Sequence, residues 1–184
     1  DIHEMAQIAS APTDMIDAWA HFIQASTAFG HPQLAAAKVA SLAFRSWPET
    51  ALTEDILGSV SDAVSLTRSE ARRRLLREAT EDGRALLKRL ACVLLRFDRS
   101  MAIAAASVDP AVPDPSASLD FLIGPWIEPA PGPGHYLRLS PLLYGLNEDL
   151  SQEIKEAVQS SVVIGTIQNG PIPFEALDVV VWNA

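Results

Sequence analysis

The sequence is poor in the residues from which most catalytic and metal sites are built. It has one cysteine, Cys92, so it forms neither an internal disulfide nor a cluster of thiolates for zinc. Its four histidines, His3, His21, His31 and His135, lack the spacing of metal ligands. Such cysteine usage fits a reducing compartment, and we expect the protein to be cytoplasmic.

Catalytic motifs are also missing. The sequence contains no G-x-x-x-x-G-K-S/T, G-x-S-x-G, H-E-x-x-H or G-x-G-x-x-G. The adjacent acids Glu54-Asp55 and Glu148-Asp149 would point in different directions on a helix, so we interpret them as helix-start charges. Apolar neighbours should raise the pKa of Cys92, which favours a core thiol over a nucleophile. We therefore expect that this chain is not an enzyme.

Long apolar runs and an excess of positive charge are absent as well. The longest mainly apolar stretch, residues 101–108, is far shorter than the roughly 20 residues of a membrane span, so we expect no membrane insertion. The net charge is -9. Because phosphate backbones attract positive surfaces, this charge disfavours nucleic-acid binding. The start at Asp1 and the end at Ala184, just after an apolar run, suggest a piece of a larger protein.

Apolar residues at helical spacing dominate the first half of the sequence. The first stripe consists of Met15, Trp19, Phe22 and Ile23, and the second of Ala35, Val39, Leu42 and Ala43. Pro32 suits the first turn of the second helix, which should end at Trp47-Pro48. A third helix is predicted from near Thr53 with an inward stripe of Ile56, Val60, Ala63 and Val64, and a fifth over residues 84–96. We interpret the tryptophans as packing residues.

The fourth predicted helix begins at Thr67, where Thr67 and Glu70 have the spacing of a capping box. Its arginines allow two interpretations: a surface that binds phosphate or an acidic partner, or a solvated helix face neutralised by interleaved acids at i, i+4. The spacing of the acids favours the second. The candidate interaction surface comprises Arg68, Arg72, Arg73 and Arg77.

The composition changes over residues 109–134, which hold seven of the thirteen prolines. A short helix is predicted over residues 116–123, followed by strands at 126–128 and 136–139 that a Pro/Gly-rich turn joins. Helical spacing then returns with Ile154, Val158 and Val162. A last helix is predicted over 173–181, after a turn at Gly170-Pro171. The fold class is thus mainly α with a small β-hairpin.

Three segments resemble the signal-transduction ATPases with numerous domains, the family that includes the NB-ARC proteins. Residues 27–34, Thr-Ala-Phe-Gly-His-Pro-Gln-Leu, resemble the Gly-x-Pro motif that opens the family's helical lid. Residues 86–143 resemble its winged-helix domain, most closely over 119–128 and 136–143. The helices after Leu150 stand where the sensor repeats of such proteins often begin.

The resemblance implies three segments: a helical lid over residues 1–49, a winged-helix-like domain with preceding helices over 50–146, and the start of a helical, TPR-like repeat over 147–184. It assigns nucleotide contacts to Gly30, His31 and Pro32, with the proline against the adenine ring. The chain holds no cofactor itself, while ADP or ATP with Mg would bind an upstream core. One departure is Leu139-Ser140-Pro141, where NB-ARC relatives carry Met-His-Asp.

The resemblance implies a non-catalytic segment that caps the nucleotide and relays its state to C-terminal repeats. Its partners would be the upstream nucleotide-binding domain, the downstream repeats and other proteins. A DNA-reading winged helix needs basic or amide residues on its recognition helix, yet residues 116–123 carry only Asp120 as a charge, and Arg138 is the one basic residue of the hairpin. Two alternatives stay open: a winged-helix transcription regulator whose basic helix, residues 68–89, follows DNA, and a stand-alone helical protein–protein adaptor.

Overall fold

A computed structural model describes residues 1–27, 31–54, 68–93, 96–132, 134–168, 181 and 183. Most of these residues are helical, and β-strands occur among them as one two-stranded antiparallel sheet. The expectation of a mainly helical fold with a small β-hairpin is confirmed. The chain divides into two compact units, Asp1–Ala79 and Thr80–Ala184. The segment boundaries predicted after residues 49 and 146 differ from this division and stay predictions.

All regular elements in the described part of the first unit are helices. Its elements are α1 (Ile2–Ile8), α2 (Ile16–Ser26, after the 3-10 turn Thr13–Met15), α3 (Pro32–Phe44), α4 (Thr50–Glu54) and α5 (Arg68–Arg77). α2 and α3 bury the faces that the helical spacing predicts. α1 is not among the predicted helices, although it begins with a capping box in which the carboxylate of Asp1 accepts from the backbone N–H of Glu4 at 2.9 Å.

The core of the first unit is aromatic. Trp19 lies edge-on to Trp47 and to Phe22, with ring centroids 5.3 Å and 6.0 Å apart, and all three side chains are buried. The indole Nε1–H of Trp47 donates to the carbonyl oxygen of Ala9 at 3.0 Å, which ties the segment after α3 to the end of α1. The packing interpretation of these two tryptophans is confirmed.

α3 ends before Trp47-Pro48, as predicted. Ser46 and Trp47 have φ angles of 57° and 53°, which a right-handed helix cannot contain.

The predicted start of the third helix near Thr53 was wrong by three residues. α4 begins at Thr50 because the carbonyl oxygens of Pro48 and Glu49 already accept from the N–H groups of Ala51 and Leu52. Residues 55–67, which include the predicted inward stripe and the Thr67 cap, lie outside the described residues.

The second unit combines short helices with the hairpin. Its described elements are α6 (Glu81–Leu90), α7 (Arg99–Ala106), α8 (Pro115–Leu122), β1 (Ile127–Pro129), β2 (Leu137–Leu139), the 3-10 turn Pro141–Leu143 and α9 (Gln152–Gln168).

Side-chain caps set the first residues of three of these helices. The Thr80 hydroxyl accepts from the backbone N–H of Gly83. In the same way, the carboxylate of Asp98 accepts from the backbone N–H of Met101, and that of Asp114 accepts from the backbone N–H of Ala117. The fifth predicted helix, over residues 84–96, was therefore misplaced. Its start is fixed at Glu81 by the Thr80 cap, and α6 ends at Leu90 in a turn.

α6, α7 and α8 pack on one another as a three-helix group, and the hairpin follows α8 directly. Within the hairpin, Ile127 pairs with Leu139 and Pro129 with Leu137. Phe97, between α6 and α7, forms an antiparallel bridge to Leu137, with N···O distances of 2.9 and 2.7 Å. The segment at Phe97 thus extends the edge of the hairpin. Trp126 at the start of the hairpin is fully buried, as its packing interpretation predicts.

α9 packs along α7. It buries Val158 and Val162, as the spacing predicts, while the hydroxyl of Ser161 donates to the carbonyl oxygen of Ala104 at 2.9 Å. The predicted turn at Gly170-Pro171 falls outside the described residues. So does the helix predicted over residues 173–181, apart from its last residue.

Candidate functional site

His31 and Pro32 of the Gly-His-Pro segment lie at the start of α3. Pro32 occupies the first turn of the helix and His31 its N-cap position, and both residues are exposed. The N–H of His31 donates to the carbonyl oxygen of Thr27 at 2.9 Å. Gly30 lies outside the described residues. The two described members of the predicted nucleotide site are therefore accessible to a ligand or to another domain.

The arginine-rich helix α5 packs through one face. Ala71 and Leu75 of the helix are buried, and α5 packs against α3. Arg73 and Arg77 are exposed, whereas Arg72 is half-buried. Arg68 is the first residue of α5, and its side chain is outside the described set. Of the four predicted surface residues, the structure thus places Arg73 and Arg77 together on the exposed side.

The acidic residues in and directly after α5 form ion pairs with Arg74 and Lys38. Glu70 accepts from the guanidinium of Arg74 at 2.9 Å, which is the i, i+4 pairing that the sequence predicts. Glu78 instead accepts from the ammonium of Lys38 on α3 at 3.3 Å, and both of these side chains are largely buried. Local neutralisation of the arginine run is therefore confirmed for Arg74.

The surface formed by α8 and the hairpin holds charged residues in pairs. Arg99 on α7 makes a bidentate contact with the carboxylate of Asp120 on α8, at 2.5 and 3.0 Å. This hydrogen bonding lowers the pKa of Asp120 and raises the pKa of Arg99. Arg138 on β2 pairs with Glu128 on β1 at 2.8 Å. The guanidinium of Arg138 is therefore already matched by a carboxylate within the hairpin.

An apolar cavity of about 360 Å³ opens between the end of α6 and the hairpin. Its lining consists of Leu90, Ala91, Val93, Phe97, Leu139, Tyr144 and Gly145. Tyr144 is half-exposed, so one wall of the cavity faces solvent. No pattern in the sequence indicates this cavity, because its lining residues come from separate stretches of the chain and no single stretch carries a signal.

Cys92 is buried beside α6. Its thiol donates to the carbonyl oxygen of Lys88 at 3.6 Å, and its carbonyl oxygen accepts from the amide of Gln159 on α9 at 3.2 Å. Burial raises the pKa of the Cys92 thiol, although a hydrogen bond with Asn147 acts in the opposite direction. A neutral, covered thiol is a poor nucleophile, so the interpretation of Cys92 as a core residue is confirmed.

The described residues contain no group of three or more His, Cys, Asp or Glu side chains arranged to hold a metal ion. In the same part of the chain, no helix has the length and apolarity needed to cross a bilayer.

Comparison of the chain with protein-family models, with curated proteins and with solved structures gives no match. The resemblance to the signalling ATPases consequently depends on the residues that carry it in this sequence.

Proposed function

We propose that this chain is a regulatory segment of a multidomain signalling NTPase of the NB-ARC type, with a helical lid followed by a winged-helix domain. It caps the nucleotide, ADP or ATP with Mg, that an upstream core binds. It relays the nucleotide state to helical, TPR-like repeats downstream. The segment is not itself a catalyst, and we place it in the cytoplasm.

The observation that carries this proposal is the order of elements in the second unit. A helix, a short extended segment, two further helices and a hairpin follow one another, which is the order that the resemblance implies for a winged helix. The bridge from Phe97 to Leu137 supports the assignment, because it joins the extended segment to the hairpin as a third strand would.

Charge distribution supports a protein-contacting role for this domain. A recognition helix that reads the major groove presents Lys, Arg, Asn or Gln to the base edges. α8 has none of these residues, and its one charge, Asp120, is matched by Arg99. The exposed Ile123 directly after α8 favours an apolar contact instead.

The start of α3 supports a contact with the nucleotide base. Pro32 is rigid, exposed and placed at a helix start, so a base could stack on it without any change in the helix. The lid and the winged-helix domain would then dock differently in the ADP and ATP states. Such a relay requires only that the two states differ in their contacts with the segment.

A nucleotide titration of the isolated chain tests whether the upstream core, rather than this chain, provides most of the nucleotide affinity. We expect no submicromolar binding of a fluorescent ATP or ADP analogue, because the phosphates would be held by the upstream core. Submicromolar affinity in this chain alone would contradict the proposal. The parent gene should also encode a G-x-x-x-x-G-K-S/T motif within the few hundred residues that precede this chain. The absence of that motif would contradict the family assignment.

A substitution in the longer protein tests the role of Pro32. Pro32→Ala should weaken ADP binding about tenfold, as expected for loss of roughly 50 Å² of apolar contact. Pro115→Ala is a matched control, since Pro115 also stands in the first turn of a helix. Equal effects of both substitutions would indicate a general loss of structure and remove the evidence for a base contact.

The DNA-binding alternative makes an opposite prediction. A transcription regulator of this size should bind duplex DNA with an affinity that falls steeply as salt rises. We expect no such binding, because the net charge is -9 and two basic residues beside α8 and in the hairpin, Arg99 and Arg138, are each paired with a carboxylate. Salt-dependent binding in a mobility-shift or anisotropy titration would replace our proposal with this alternative.

A further inference from the structure

The outward side of α5 carries two arginines in a fixed orientation. Because Ala71 and Leu75 of this helix are buried four residues apart, the rotation of the helix about its axis is set by its packing. Arg73 and Arg77 stand two residues before and two after Leu75, so each lies about 160° around the helix from that buried residue. They project side by side from the exposed face, about 6 Å apart along the axis.

No carboxylate of the described residues forms an ion pair with either arginine. The nearest acids are occupied, since Glu70 within the helix pairs with Arg74, and Glu78, directly after it, pairs with Lys38. Like charges at i, i+4 repel each other on a helix surface. The pair Arg73 and Arg77, called here the arginine face, is therefore a local positive site within a chain of net charge -9.

We propose that the arginine face is a docking site for an acidic protein segment with two carboxylates about 6 Å apart. A helix with Glu or Asp at i, i+4 has this separation, as does an extended segment with acids at i, i+2. Guanidinium groups bind carboxylates through two parallel hydrogen bonds, which gives geometric selectivity in addition to attraction. The site is separate from the nucleotide-capping role and does not depend on it.

A short acidic segment fits this face better than an extended polyanion. Two arginines about 6 Å apart match only a few residues of a partner. Nucleic acid or an anionic membrane would extend well beyond them and face a chain with 23 acidic and 14 basic residues. Charges separated by more than about 8 Å are screened at physiological salt, so a small site can attract a small partner despite the overall charge.

The test uses the full chain and a short fluorescein-labelled helical peptide with glutamates at i, i+4, with its glutamine counterpart as the neutral probe. Anisotropy should show binding of the glutamate peptide that weakens strongly between low and high salt. Arg73→Gln and Arg77→Gln should each weaken it about two- to fivefold, and the double variant by more. Arg73→Lys, which keeps the charge but loses the bidentate fork, should be intermediate.

Arg45→Gln provides the matched control, because Arg45 is an exposed arginine of the same unit and its loss changes the net charge equally. We expect wild-type affinity from this control and unchanged urea midpoints from all the variants. The proposal is overturned if Arg45→Gln weakens the peptide as much as Arg73→Gln does. It is also overturned if the glutamine peptide binds equally well, or if an oligonucleotide or anionic vesicles bind the arginine face more tightly than the peptide.

Discussion

Among the arginines of the basic segment whose side chains the structure describes, Arg89 differs because it is buried. Its guanidinium donates to the carbonyl oxygens of Ala85 at 3.1 Å, of Val108 at 3.4 Å and of Pro110. Burial lowers the pKa of Arg89, but an arginine side chain still stays charged at neutral pH. The residue therefore joins α6 to the loop after α7.

Arg89→Met should lower the free energy of unfolding by about 2–3 kcal/mol, because charged hydrogen bonds are lost and buried carbonyls lose their donor. Urea denaturation followed by circular dichroism measures this change. Lys88→Met on the same helix is the control and should lower stability by less than about 1 kcal/mol, because its ion pair with Asp149 is exposed to solvent. Equal effects of the two substitutions would mean that Arg89 does not join these elements.

Cys92 gives a pH-dependent prediction. Burial raises its pKa in the folded state, so the folded protein retains the thiol proton to higher pH than the unfolded chain does. The resulting stabilisation is fully present below the unfolded pKa, about 8.5. It is lost as the pH rises from there through the folded pKa.

The free energy of unfolding of the wild-type protein should accordingly fall more than that of Cys92→Ala when the pH is raised from about 8 to about 10. The higher pH lies about 1.5 pH units above the pKa of an ordinary thiol. Paired urea titrations at the two pH values measure the difference. Iodoacetamide should also label Cys92 far more slowly in the native protein than in urea. Parallel pH profiles of the two proteins would exclude the stabilisation that we assign to the protonated thiol.

At the scale of elements, short helices depend on their caps. α7 has only eight residues, and an isolated helix of that length does not form in water. The carboxylate of Asp98 accepts from the N–H of Met101 at 2.9 Å and from the hydroxyl of Ser100 at 2.7 Å. This cap lies directly after Phe97, so it also fixes where the chain leaves the edge of the hairpin.

Asp98→Ala should lower the free energy of unfolding by about 1 kcal/mol, as for other lost N-caps. Asp98→Asn or Asp98→Ser should restore most of this loss, since either side chain can accept from the same N–H. Thermal unfolding of the three variants gives the ranking. If alanine and asparagine destabilise equally, the carboxylate charge rather than the cap would be the stabilising feature.

At the scale of the whole molecule, the division at residues 79 and 80 indicates two units with separate cores. The first unit buries Trp19 and Trp47, and the second buries Trp126 beneath the hairpin. The hydrophobic cluster that includes Trp19 and Trp47 consists of residues of the first unit.

A fragment of residues 80–184 should therefore fold alone, with a cooperative thermal transition and a buried tryptophan emission spectrum. Circular dichroism and fluorescence of the fragment test this expectation. The complementary fragment, residues 1–79, should likewise retain quenched or blue-shifted Trp19 emission. A broad, non-cooperative transition in the 80–184 fragment would show that its core depends on the preceding residues.

The sequence by itself determined the helical content of the described residues, because helix formation depends on the spacing of apolar residues and on the positions of prolines, which are local features of the sequence. The spacing of Trp19, Phe22 and Ile23 predicted the buried face of α2, and Pro32 predicted the start of α3. The prolines and glycines around the hairpin predicted its two strands. The helix bounds were less accurate where a side chain acts as a cap, as Thr80 does for α6, since a threonine is a cap only in the right backbone conformation.

Tertiary structure decided the features that depend on residues far apart in sequence. Composition could not show that Arg89 is buried while Arg73 and Arg77 are exposed, because the three belong to one basic run. Nor could it show that Glu78 pairs with Lys38, forty residues away. Pairing and burial depend on which helix faces meet, and that is decided by packing across the whole unit. The arginine face exists for this reason.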